Sequence, residues 1–256
     1  MSPGSIPPAD KRAPRVQSAA RTVDILLAVA RSGPSGISAK RITEELGFPR
    51  QVVYHLLHTL QSVEMLHKVA GNSYVLGLAA SVIANGYRRQ NAAPAQLARY
   101  ADRAAQLTGE TAYLVGWVDD EIVVLANARG SASIQAASLE PGTTGDAHAR
   151  ASGKLLLALA SDEDVDRYLS THAMHRRTPN TITSKASFLE ELADIRKVLV
   201  SVDREEYDVG LTCIAVPVGR AGARYAVGLS GPTERVMANM DSYISALQDA
   251  AGGGSD

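Results

Sequence analysis

The 256-residue sequence has one cysteine, Cys213, so no intrachain disulfide can form, which suits a reducing, cytoplasmic location. No apolar run approaches the roughly 20 residues of a membrane span, and no membrane partner is expected. The opening MSPGSIPPADKRAPR lacks the apolar core of a signal peptide. Residues 1–15 read as a disordered arm. Its Lys11, Arg12 and Arg15 are either available to phosphate or simply solvated. Internal repeats are absent as well. What remains is an ordinary balance for a soluble protein, 45% hydrophobic and 21% charged, long enough for one large or two modest domains.

A net charge of -1 hides an asymmetry. Residues 1–91 hold 11 Lys and Arg against 5 Asp and Glu; the remainder holds 15 against 22. A basic front on an acidic body suits a nucleic-acid-binding module attached to a domain with another task.

Within the basic part, Ser38 to Ser62 reads as helix, tight turn, helix. Ser38 is placed to cap the first helix, and Arg41 stands where a capping box would need Glu. Gly47 fits a left-handed helix end, and Pro49 suits the first turn of the next helix. At 100° per residue, Val53, Leu56, Leu57 and Leu60 share one face. Gln51, Tyr54, His55, His58 and Ser62 share the other, which carries no acid. A carboxylate in a DNA groove would face phosphate repulsion, whereas neutral donors and bases read base edges. An ordinary helical hairpin is the competing reading. Met65 to Leu76 then gives two short strands around Gly71-Asn72. With a first helix over Val16–Ser32, the order helix, helix, helix, hairpin is that of a winged helix-turn-helix over residues 16–77. The residues expected at DNA are Ser38, Arg50, Gln51, Tyr54, His55, His58 and Lys68.

Residues 78–93 read as a linker helix, Leu78 to Gln90, with Arg88 and Arg89 near its end and a boundary at Asn91–Pro94. The body, residues 94–251, alternates signals. A helix runs to Thr108 and stops at Gly109. Thr111–Val118 and Ile122–Ala128 form a hairpin, and Ser131–Ala137 is a candidate third strand. Helices follow at Ala151–Ala160, Asp162–Leu169 and Phe188–Val200, the last with Leu189, Leu192, Ile195 and Leu199 on one side. Leu211–Val218 and Arg224–Ser230 make a second hairpin turning at Arg220-Ala221-Gly222. A final helix runs from Pro232 to about Ala250, and residues 252–256 read as a disordered tail.

The segment GTTGDAHARASGKLLLALA feeds a small-residue loop into an apolar helix. The backbone N–H groups of Ala151 and Ser152 fall at the helix start and suit an anion. Close packing of the loop on a sheet would select the same small residues. The spacing is not that of a P-loop.

Several segments in order resemble bacterial transcription factors of the IclR (isocitrate-lyase regulator) type. They are the helix-turn-helix and wing, His148-Ala149 with Gly153-Lys154, Thr178 to Thr183, Leu189 to Leu192 with Ile195-Arg196, Asp203 to Glu206, Gly210, Cys213 to Pro217, and Ser230-Gly231-Pro232. The resemblance covers nearly the whole chain. It implies an α+β protein whose winged helix-turn-helix is joined by a helix to an α/β effector-binding domain of GAF or profilin type. It implies a double-stranded DNA operator and a small-molecule effector, a carboxylic acid, as partners. It also implies a homodimer or dimer of dimers, paired through the first helix and linker.

Carried over by motif, Ala151 and Ser152 offer N–H groups to the carboxylate, and Asp203, Cys213 and Ser230 line the polar end. Tyr113 and Trp117 are either an aromatic wall or core. Two departures matter: Ala151 stands where glycine is common, so its methyl is expected to narrow the pocket. His55 stands where arginine is common, so operator sequence does not carry over. No cofactor, metal or catalytic residue is expected. The alternatives are a ligand-independent oligomerisation domain and, remotely, a thiol hydrolase using Cys213 with His148. The pairs His55/His58 and His172/His175 make a poor zinc set.

Overall fold

A computed structural model of the protein describes residues 16–90, 94–136, 139–219 and 223–252, with the Arg88 side chain excepted. The expected N-terminal arm, the Asn91–Ala93 boundary, Ala137, the Arg220–Gly222 turn and tail residues 253–256 lie outside these. The chain divides into two compact units at Tyr87/Arg88.

The first unit contains α1 (Gln17–Arg31), β1 (Ile37–Ser38), α2 (Ala39–Leu46), α3 (Arg50–Ser62), β2 (Leu66–Val69) and β3 (Ser73–Leu76). Helix α4 (Leu78–Gln90) begins in it. The Ser38 hydroxyl accepts from the Arg41 N–H at 3.3 Å and starts α2. Gly47 ends α2 in the left-handed region (φ 65°), donating its N–H to Thr43. Pro49 is extended and stands just before α3, one residue outside the first turn assigned to it. The aliphatic stripe of α3 behaves as the periodicity requires: Val53, Leu57 and Leu60 are buried with Ile25, Ile42 and Leu66. The wing is antiparallel, in the order β1-β3-β2. Two-residue β1 left no pattern in the sequence to find.

The second unit starts with α5 (Ala95–Thr108), closed by left-handed Gly109. Strands β4 (Thr111–Val118), β5 (Glu121–Ala128), β6 (Ser201–Arg204), β7 (Leu211–Pro217) and β8 (Tyr225–Pro232) form an antiparallel sheet in the order β5-β4-β8-β7-β6. Between β5 and β6 come α6 (Ala151–Leu159), α7 (Asp162–Thr171) and α8 (Lys185–Val198); α9 (Thr233–Ala238) and α10 (Met240–Gly252) end the unit. Both faces of the sheet are covered. Tyr113, Val115 and Ala215 point to a core shared with α6, α7 and α8. Ala112, Ile214, Val227 and Leu229 point to one shared with α5, α9 and α10. Period-2 alternation in the strands separates the two cores.

Four expectations are corrected. Ser131–Ala136 is a loop, because it crosses the end of the sheet. Ala132 donates its N–H to Gly109 at 2.9 Å, and the Ala136 carbonyl accepts from the Thr111 hydroxyl at 3.2 Å. The last helix is two: Asn239 breaks it, its side-chain amide donating to the Arg235 carbonyl in competition with the backbone ladder. Leu189 is exposed; Phe188, Leu192 and Ile195 are the buried stripe of α8. Helix α8 also stops at Val198, because Leu199 is left-handed (φ 56°). Strand β6, hidden by its charged residues, is a further element and puts Asp203 in the sheet.

Candidate DNA-reading face and effector cleft

In the first unit, Arg50, Gln51, Tyr54, His55 and His58 are exposed on α3, opposite its buried stripe. The Arg50 guanidinium lies over the Tyr54 ring at 5.4 Å. Lys68 is exposed on the wing, its ammonium 6.0 Å from the Tyr74 ring. Ser38 is half-buried, and its hydroxyl is engaged in the α2 cap. Helix α3 carries no carboxylate, and Glu44 and Glu45 of α2 each pair with a base one turn earlier, Lys40 and Arg41.

In the second unit, strand register assembles the other site. Asp203 is opposite Cys213, and Cys213 is opposite Ser230. Directly paired residues on neighbouring strands share a sheet face, so the three stand in one row. Tyr113 of β4 joins them, its hydroxyl donating to the Leu229 carbonyl at 3.1 Å. A cleft of about 600 Å³, mouth included, opens over this row. Arg150 and Ser152 bound it at the start of α6, Tyr207 and Asp208 from the β6–β7 connection, Leu211 from the start of β7, and Leu139 from the loop after β5.

The connection is held from two sides. Asp203 Oδ1 accepts the N–H groups of Glu206 (2.6 Å) and Tyr207 (3.2 Å). The Thr178 and Thr181 hydroxyls donate to the carbonyls of Glu205 and Glu206, each at 2.6 Å. Arg177 stacks on Tyr207 at 3.9 Å and pairs with Asp146 at 2.9 Å. Beneath lies Lys154, fully buried in α6. Its ammonium donates to Glu206 (2.5 Å), Glu191 (2.8 Å) and the Val202 carbonyl (2.9 Å). Such a buried cation is tolerated only because its donors are satisfied.

Burial pushes the Asp203 carboxyl up to about 6, with the Glu206 charge adding to the rise. Burial likewise pushes the Cys213 thiol up to about 12; the thiol donates to the Ser230 hydroxyl at 3.2 Å. The thiol is therefore protonated near neutral pH. His148 instead bonds the His175 carbonyl at 2.9 Å, so the hydrolase pairing is not formed.

Of the five residues expected in the pocket, Ser152, Asp203, Cys213 and Ser230 line the cleft. Ala151 does not. It is 1% exposed, and its methyl packs with the α6 core, so it cannot narrow the cleft. Tyr113 is wall; Trp117 is half-buried and packs against the α6 core, edge-on to Tyr168 at 5.8 Å. Sequence reasoning missed Arg150, Tyr207, Asp208, Leu139 and Leu211. For Arg150 a signal was present: it is the one long charged side chain in the small-residue run AHARASG.

A winged helix-turn-helix followed in the chain by a sheet domain with a polar cleft defines a class, the ligand-binding transcription regulators. Residues 18–70 match the IclR helix-turn-helix domain, and residues 93–255 match the bacterial transcriptional regulator IclR C-terminal domain. The chain belongs to the IclR family of transcriptional regulators, with a DNA-binding domain followed by a ligand-binding domain. It is 31% identical to the HTH-type transcriptional regulator BhcR of Paracoccus denitrificans over 90% of this chain and 81% of that one. Its fold is similar to that of an IclR-type regulator from Alicyclobacillus acidocaldarius (TM-score 0.67, 22% identity, 93% and 97% of the two chains). It is also similar to an IclR homologue from Microbacterium hydrocarbonoxydans complexed with 4-hydroxybenzoate (TM-score 0.62, 20% identity, 92% and 96% covered). Relatives of this kind are transcription regulators, and no helix among the described residues is long and apolar enough to cross a membrane.

Proposed function

We propose that the chain binds a double-stranded operator through α3 and the wing, and that a small organic acid in the sheet-side cleft modulates that binding. The observation that carries the effector half is the cleft itself. It is lined by buried polar atoms with no protein partner, among them Ser152 Oγ and Asp203 Oδ2. Buried polar groups are ordinarily hydrogen-bonded, so these are free to bond a ligand. The 4-hydroxybenzoate in the Microbacterium relative supports a carboxylic acid as the class. Arg50, Gln51, Tyr54, His55, His58 and Lys68 are the DNA-contacting set, with Ser38 positioning α2.

The working form is a homodimer or dimer of dimers in the cytoplasm. Helix α1 leaves Val23 and Leu27 exposed, and α4 leaves Leu78, Val82 and Ile83 exposed, the last three at 63% or more. Apolar stripes of this kind suit pairing with a second copy. Pairing also multiplies the weak affinity of one half-site.

The test is operator binding by fluorescence anisotropy, with and without small carboxylic acids, alongside sedimentation. Affinity that shifts with an acid, on a protein sedimenting as a dimer or tetramer, is expected. Operator binding indifferent to every acid would favour a ligand-independent oligomerisation domain.

A further inference from the structure

Arg150 is an unusual residue for a ligand-free interior. It is 3% exposed, immediately precedes α6 and lines the cleft. Its Nε and Nη1 have no hydrogen-bond partner, and its Nη2 reaches only the Ile122 carbonyl, at 3.5 Å. Asp146, Glu206 and Asp203 each have one carboxylate oxygen engaged elsewhere. Asp146 is held by Arg177, Glu206 by Lys154, and Asp203 Oδ1 by two backbone N–H groups. Arg150 makes no ion pair among the described residues. A guanidinium cannot shed its proton in a protein, so burial leaves it charged, desolvated and unpaired. Its planar fork matches a carboxylate.

The rest of the wall has the opposite sign. Asp203 and Asp208 line the same cleft, and Asp203 Oδ2 is unpartnered. A ligand with two carboxylates would set one of them against these acids.

We propose that Arg150 is the charge-selecting residue of the cleft. It takes the effector's single carboxylate on its guanidinium and so restricts the effector to monocarboxylates whose remainder is neutral or hydrogen-bond-donating. This rests on the reading of the cleft as an effector site. It moves the anchor from the N–H groups of the helix start, where the sequence points, to the side chain one residue earlier. It also has a consequence a structural arginine would not have. The ligand-free protein bears a buried cation with no ion pair among the described residues, so replacing it with an apolar side chain of similar length relieves the apoprotein while removing the anchor.

The experiment uses the full chain. Calorimetry compares acetate, benzoate and 4-hydroxybenzoate with the amides acetamide and benzamide and the dianions malonate and terephthalate, on wild type and on Arg150→Met, Arg150→Gln and Arg150→Lys. Wild type is expected to bind a monocarboxylate in preference to its amide and its dianion. Arg150→Met and Arg150→Gln should bind that acid about 10- to 100-fold more weakly, as for loss of charge-assisted hydrogen bonds. Arg150→Lys should fall between. The ligand-free Arg150→Met protein should melt at or above the wild-type temperature. Equal binding of acid and amide by wild type, undiminished acid binding by Arg150→Met, or a melting temperature lowered by several degrees would each overturn the role of Arg150 and leave the effector reading standing. Loss of fold in all three variants would make the arginine structural and overturn it too. Failure of every acid to bind wild type would instead bring down the effector reading, and this assignment with it.

Discussion

A difference of one residue decides the chemistry on the helix side of the cleft. Ala151 and Ser152 are adjacent, yet Ala151 packs into the core and Ser152 faces the cleft, while Arg150 supplies the charge. Spacing alone located the helix start but could not say which neighbour turned inward. Asp203 shows the same dependence on surroundings. Its folded-state pKa, about 6, lies above the ordinary carboxylate value of 3.8 because burial disfavours the anion. A raised folded pKa means that stability is intact below the unfolded value and is lost as pH rises through the folded one. Ligand-free Asp203→Asn should therefore match wild type near pH 4 and gain on it between about pH 4 and 6. Above that, wild type should lag by about 3 kcal/mol, from roughly two pKa units. Urea melts across that range check this; a difference independent of pH would mean Asp203 is solvated. On α3, Gln51→Ala and His55→Ala should weaken a specific operator more than random DNA, by about 1–3 kcal/mol per base contact. Equal losses on both DNAs would leave these side chains touching phosphate only.

At the scale of elements, α6 is the clearest case of packing overriding local preference. It is buried from Ala151 to Ala158 all round, including Lys154. Gly153 is a poor helix former, yet a methyl group there would come within 2.4 Å of the Ala147 carbonyl oxygen in the short helical turn that precedes α6. Gly153→Ala gains about 1 kcal/mol of helix propensity and is nevertheless expected to destabilise the second unit by about 1–3 kcal/mol, because backbone must move. A lowered calorimetric melting temperature is the expected result; an unchanged or raised one would mean the turn shifts freely. The helix stripes and the two hairpins were readable because their periods are strong. Strand β6 was not, since it is four residues long and its charges mask the alternation.

For the whole molecule, the proposed function requires that ligand binding in one unit alter operator binding by the other, through differential preference for one arrangement of the winged helices in the proposed dimer. Gly86 lies in α4, and a methyl there meets nothing within 4 Å. In contrast with Gly153, Gly86→Ala is sterically free and should stiffen α4 by about 1 kcal/mol. The expected outcome is unchanged ligand affinity without operator, but a smaller shift of operator affinity on adding ligand and, reciprocally, of ligand affinity on adding operator. Binding titrations in all four combinations measure it, and an unaltered coupling energy rejects the hinge. The basic excess of residues 1–91 further predicts operator affinity that falls steeply from low to physiological salt. A flat salt response would speak against phosphate contacts.

The sequence by itself determined the parts whose information is local. These are the α3 stripe with its acid-free opposite face, the Ser38 cap, the left-handed Gly47, the charge imbalance, and the ordered motifs that carry the family resemblance. The tertiary structure decided what depends on strand register and burial. It set Asp203, Cys213 and Ser230 in one row across three strands, sent the Ala151 methyl into the core, and buried Arg150 without a partner. The physical reason is that periodicity and capping act over a few residues along the chain. A cleft's electrostatics arise from groups far apart in the chain, here from Tyr113 to Ser230, and only packing fixes which of them is left unpaired.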